Sequence, residues 1–221
     1  MLKMSAPMSL AEIDNDIFLQ RINASITRVR FALQSYENFK QFVRIELDSA
    51  VQAIEENSNK LNFDLTEDQL TLILLANIKN KDMGIETYHE NNQRGHCDIT
   101  IKLNRFTWHG EAKKHTGSYS YLFKGYAQLT ERYSTGTVDS ASGGLIIYTR
   151  NKKCNEMMTK WKAHLDKSAP RIHACKSISI TPCKRNPLVF YSQHTHTVSQ
   201  LNYEVIHYPV NLYHEPVDSE L

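Results

Sequence analysis

Apolar residues recur at four-three spacing through the first quarter of the chain: Ile22, Ile26, Val29, Leu33, Tyr36, Val43, Leu47 and Ile54, with Lys40 and Ala50 at the two interrupted places. Polar residues fill the opposite side, and neither Pro nor Gly occurs between Met8 and Lys60. That periodicity predicts an amphipathic helix over residues 9–57, or two helices with a break near 23–25. A stripe of this length can pack on its own domain or pair with the same stripe of a second copy. A second helix is predicted from Thr66, because Thr66 and Gln69 form a capping-box pair ahead of Leu70, Ile73, Leu74 and Ile78. The period then changes. Residues 85–89, 99–103 and 106–109 read as strands, and residues 118–133 return to a helical pattern. Residues 143–149, GGLIIYT, are β-branched and free of charge, the signature of a buried strand. A helix over 151–167 follows, with Met157, Met158, Trp161 and Leu165 as its apolar side. Residues 172–180, 188–191 and 203–213 read as further strands, the last an edge strand limited by Pro209.

The chemistry concentrates in residues 96–113. Two strand-like runs joined at Asn104-Arg105 carry Asp98 at the start of the first and Glu111 at the end of the second. An antiparallel hairpin brings those positions side by side. Residues two apart on a strand share a face, so Glu111 and Lys113 point together and Ala112 turns into the core. Two carboxylates and the Ala112 carbonyl offer hard oxygen ligands suited to Mg²⁺, with Mn²⁺ as a substitute. Such an ion polarises a phosphate oxygen and lowers the pKa of a bound water. Lys113 can orient that water, take its proton, or neutralise charge on the phosphate.

This pattern resembles the PD-(D/E)XK nuclease superfamily, with Asp98 as the first acid and Glu111-Ala112-Lys113 as the E-x-K element. Cys97 stands where the family name has proline. The resemblance implies an α/β, restriction-endonuclease-like αβββαβ core, and the predicted element order over residues 61–168 agrees with it. It implies Mg²⁺-dependent hydrolysis of a nucleic-acid phosphodiester, leaving a 5′-phosphate and a 3′-hydroxyl. DNA is the expected substrate and RNA is not excluded. Family members often act in restriction, repair or antiviral defence. Glu67, on the helix before the strands, matches an additional family glutamate that completes a second shell or second metal. Gln128 matches a residue that points back at the site from the following helix. In exonuclease-like branches a tyrosine follows this glutamine four residues later; here Tyr133 comes five later and is not carried over. Lys114, His115, Arg94, His96 and Lys124 are the candidate nucleic-acid contacts.

The remaining features set boundaries. At 221 residues the chain can bury one substantial core. Its formal net charge of +2 does not announce nucleic-acid binding, so any basic surface must be local. The four cysteines form no C-x-x-C pair and fit no zinc ribbon, which points to reduced thiols. No apolar run approaches a membrane span, and the first residues lack a signal-peptide core. The expected location is therefore cytoplasmic. His194 and His196 alternate on one strand face without an evident third ligand, and read as exposed strand residues. The expected organisation is an N-terminal helical extension over 1–60 that supports a homodimer or a partner chain, a nuclease core over 61–168, and a C-terminal β-rich accessory over 169–221. A non-catalytic nucleic-acid-binding protein, or a partner-interaction module that keeps the fold, stays open as an alternative.

Overall fold

The computed structural model describes residues 9–61, 64–78, 83–89, 97–172 and 178–215. It is an α/β protein: N-terminal helices, then a seven-strand mixed sheet with interspersed helices. The predicted long N-terminal helix is three: α1 (Leu10–Asp14), α2 (Ile17–Ala32) and α3 (Tyr36–Glu55). The expected break near residues 23–25 is absent, and α2 runs straight through it. The breaks fall instead where a side chain can replace the lost backbone bonds. Asp16 accepts from the Phe18 and Leu19 amides, and Ser35 accepts from the Asn38 amide. Cap residues, not Gly or Pro, divide this segment.

Helix α4 (Glu67–Ala76) begins with the predicted capping box, both halves formed. Strands β1 (Ile85–Tyr88), β2 (Ile99–Leu103) and β3 (Phe106–Lys114) form an antiparallel meander. The β2–β3 turn is the two residues Asn104-Arg105, with Asn104 at φ 55°. Helix α5 (Tyr119–Gln128) continues as a π-helical turn (Leu129–Tyr133), and β4 (Ser142–Thr149) then lies parallel to β3. Helix α6 (Cys154–Ser168) leads to β5 (Ser179–Pro182), β6 (Phe190–Thr195) and β7 (Asn202–Asn211).

The strand order is β1-β2-β3-β4-β7-β6-β5. The last strand is therefore not an edge: β7 lies between β4 and β6. Pro209 is tolerated there because it lies beyond the last β7 residue paired with β6, and pairs with β4 alone. The C-terminal strands thus continue the one sheet.

Helices cover both faces. On one face, Phe39, Phe42, Val43, Leu47 and Ile54 of α3 and Leu70 and Leu74 of α4 pack over Ile99, Ile101, Trp108, Ala112 and Ile146. On the other, Leu122 and Tyr126 of α5 and Met157, Met158, Trp161 and Leu165 of α6 pack over Leu145, Ile147 and Val205. Tyr36 fastens α3 to the sheet. Its hydroxyl donates to the Thr107 carbonyl at 3.1 Å and accepts the Ser142 amide at 3.0 Å. His194 and His196 are buried, not exposed as expected. His194 meets Tyr126 of α5 and Tyr203 of β7, and His196, just past β6, meets Tyr203, Ser199 and the segment at Gly136. No described helix is long and apolar enough to cross a membrane.

Candidate active site

The β2–β3 register pairs Ile99 with Gly110, so Asp98, one residue before β2, arrives opposite Glu111. The Asp98 carboxylate accepts the Ala112 amide through Oδ2 at 2.9 Å, which fixes it across the end of the hairpin. Ala112 points into the core on the α3–α4 side, while Glu111 and Lys113 lie on the α5 side. All three are buried.

One nitrogen joins the acids. Lys113 Nζ lies 2.7 Å from Glu111 Oε1, 3.3 Å from Glu67 Oε1 and 3.8 Å from Asp98 Oδ2. It also donates to the Ala112 carbonyl at 2.8 Å. Glu111 Oε2 is buried and has no hydrogen-bond partner among the described residues. Glu67 reaches in from the first turn of α4. Its Oε2 accepts the Lys114 amide at 2.7 Å, and the Tyr121 hydroxyl donates to Oε1 and Oε2 at 3.0 and 2.9 Å. The Tyr121 ring has Lys113 Nζ 5.5 Å from its centroid. Above the lysine stem sits Gly125 of α5, where a Cβ would stand 2.7 Å from Lys113 Cγ.

The electrostatics follow from burial and crowding. Burial, then the nearby Asp98 charge, pushes the Glu111 carboxyl up to about 7. Burial raises Asp98 as well, against the Ala112 hydrogen bond and the Lys113 charge. For Lys113, burial disfavours the ammonium, but Glu111, Asp98 and Glu67 together outweigh it and hold the group above the ordinary lysine range. Lys113 is thus a firmly charged ammonium in this arrangement.

Compared with protein-family models, with curated proteins and with solved structures, the chain matches none. The chemistry of the site therefore rests on its own geometry.

Asp98, Glu111, Ala112, Lys113 and Glu67 come together at one end of the sheet, from the start of β2, from β3 and from α4. Among the described residues, no three His, Cys, Asp or Glu side chains form a group that could hold a metal by themselves. A cation here would draw on Asp98, Glu111 and the Ala112 carbonyl, a hard-oxygen set suited to Mg²⁺ or Mn²⁺. The buried, unpartnered Glu111 Oε2 fits that demand. Gln128 ends α5 half-buried, and among the described residues no hydrogen bond links it to the acids. Lys124 is exposed on α5. Lys114 and His115 are engaged within the fold. The Lys114 ammonium donates to the Leu65 carbonyl at 3.0 Å, and His115 is buried against Tyr119 at a ring separation of 5.0 Å. Arg94 and His96 lie outside the described residues.

Two tyrosines join the site. Tyr121 is not among the sequence-predicted site residues, yet it lies four residues before Gly125 and so shares that glycine's close-packed face. Tyr133 comes five residues after Gln128. Tyr133 closes a π-helical turn, in which i→i+5 bonds take one residue more than an α turn. The Ser134 amide donates to the Leu129 carbonyl in that pattern at 3.2 Å. Tyr133 is buried, and burial followed by the Glu111 and Asp98 charges pushes its hydroxyl up to about 12. Cys97, in the place of the family's proline, has its thiol pushed up to about 12 by burial and bonds the Ile99 carbonyl at 3.2 Å. It is a packing residue, not a nucleophile.

Proposed function

We propose that this chain is a metal-dependent nuclease with the restriction-endonuclease-like αβββαβ core, in the manner of the PD-(D/E)XK superfamily. The observation that carries the reading is the sharing of one ammonium, Lys113, by Asp98, Glu111 and Glu67 beside the Ala112 carbonyl. The run α4-β1-β2-β3-α5-β4 around it supports the same reading, since a chance D…ExK pattern would not usually sit inside that order.

Asp98, Glu111 and the Ala112 carbonyl would hold Mg²⁺, which supplies Lewis acidity to a phosphate oxygen and to a bound water. Asp98 is kept in place by the Ala112 amide, so that arm of the cradle is preorganised. Lys113 stays charged, which suits it to orient the attacking water and to neutralise charge on the phosphate. Glu67, held by the Lys114 amide and Tyr121, holds Lys113 in turn. Lys124 offers an exposed cation beside the same helix face for the nucleic-acid backbone.

Supercoiled plasmid incubated with Mg²⁺ tests the proposal. Cutting is expected, with loss on chelation and a steep decline with added salt. Asp98→Ala and Lys113→Ala are each expected to slow cutting by about 10²–10⁴-fold. Variants that fold normally and cut as fast as the parent protein refute the assignment.

A further inference from the structure

Lys113 does not sit beside the proposed cation cradle but inside it. Its ammonium is the present partner of Glu111 Oε1 at 2.7 Å and of the Ala112 carbonyl at 2.8 Å, with Asp98 Oδ2 at 3.8 Å. A divalent ion would take the same Ala112 carbonyl and the same two carboxylates at about 2.0–2.1 Å, the Glu111 carboxylate through Oε2, which has no partner among the described residues. The ion would stand a few ångströms from the ammonium, and two positive charges that close repel strongly in a buried site. The ammonium must therefore withdraw when the ion enters. Its stem has little freedom on the α5 side, where Gly125 closes over it. Glu67 Oε1 is already 3.3 Å away, and the Tyr121 ring face lies just beyond. Glu67 is itself immobilised by donors from β3 and α5, the Lys114 amide and the Tyr121 hydroxyl.

We infer that Glu67 and Tyr121 form a second seat for the Lys113 ammonium, which it takes when a divalent cation occupies the cradle of Asp98, Glu111 and the Ala112 carbonyl. The inference rests on the proposed metal site and adds a device to it. Lys113 is the resident counter-ion of the metal-free site, and it moves towards the mouth as the ion loads. Tyr121, 40% exposed, stands at that mouth. It acts as a positioning residue through Glu67, with no bond to the cradle itself.

Mn²⁺ binding, followed by the loss of the free-ion EPR signal, tests this in the parent protein, Tyr121→Leu, Lys113→Met and the double variant. Tyr121→Leu changes no formal charge and removes no cradle oxygen. It is expected to weaken Mn²⁺ binding about three- to tenfold in the parent background and less than about twofold beside Lys113→Met, because its effect passes through the lysine. Lys113→Met alone is expected to bind Mn²⁺ about tenfold more tightly or better, having lost the competing charge. An equal Tyr121→Leu effect in both backgrounds, or Lys113→Met binding no tighter than the parent, overturns the second seat and leaves the metal site standing. No Mn²⁺ bound by any of the four proteins overturns both. The unsubstituted chain gives an independent readout. Acetylation of Lys113 by a water-soluble active ester, read by mass spectrometry, is expected to quicken when Mn²⁺ is added, and an unchanged rate overturns the displacement.

Discussion

The Lys113 stem runs beneath Gly125, and a methyl group there would meet Cγ at 2.7 Å and Cε at 3.0 Å. In an exposed helix, Gly→Ala gains about 1 kcal/mol from propensity. Here the neighbour is the buried root of a side chain, whose yielding moves the ammonium. Overpacking costs about 1–3 kcal/mol, so Gly125→Ala is expected to be neutral to mildly destabilising in a thermal melt. Cutting should suffer far more, by about 10²-fold, because misplacement of about an ångström at a reacting centre costs that much. A variant that cuts at the parent rate would mean that Lys113 can shift without loss. Glu111 carries a second residue-scale expectation. With its carboxyl raised to about 7, a proton occupies it below that pH and must leave before an ion binds. Calorimetric Mg²⁺ affinity should therefore weaken about tenfold per unit as the pH falls below about 7, and level off above it. An affinity flat across that range would show that Glu111 is not a ligand.

At the scale of elements, α3 decides how the N-terminal helices are regarded. Its Phe39, Phe42, Val43, Leu47, Ala50 and Ile54 belong to the same core as β2, β3 and β4. Removing one large core aromatic typically costs about 3–5 kcal/mol, and α3 supplies several. Deletion up to residue 57 is therefore expected to abolish cooperative unfolding. Deletion up to residue 33, which removes α1 and α2, should leave it intact in a urea melt. Similar melts from both truncations would contradict this division. The same helix marks where sequence reading succeeds. Its stripe was legible because a helix writes its buried face at a local period, and Thr66 with Gln69 was legible because a cap is a contact three residues apart. The Asp98–Glu111 encounter was legible for a related reason, as a two-residue turn sets the register. What was not legible is non-local. Nothing in residues 202–211 states that β7 inserts beside β4, sixty residues earlier, and a proline suggested an edge. Tyr121 and Tyr133 depend on how α5 lies across β3 and on a π-helical turn, which no side-chain pattern announces.

At the scale of the whole molecule, the sheet buries histidines as neutral rings. His207 on β7 is fully buried, stacked on Phe190 at 4.4 Å between ring centroids. Trp161 Nε1–H donates to its Nδ1 at 3.1 Å, so Nδ1 is the acceptor and the ring proton resides on Nε2, 2.9 Å from the Ser192 hydroxyl. Burial holds His207 down at about 3, and burial with the Lys102 charge holds His109 down at about 4. In the unfolded chain both return to about 6.5. Below that pH the unfolded state binds protons the native state refuses, so their share of stability is intact above about 6.5. It is lost as the pH falls towards the folded values, at up to about 1.4 kcal/mol per unit for each ring. Glu111 opposes this, since its raised folded value makes stability fall as the pH climbs from about 4.5 to 7. The two rings outweigh that one carboxyl, so these three groups together make stability rise towards neutrality between about pH 5 and 6.5. Urea melts across that interval check the slope, and His207→Gln should lower it by about 1 kcal/mol per unit. If that variant keeps the parent slope, the acid sensitivity belongs to groups other than the ring clamped between α6 and β6.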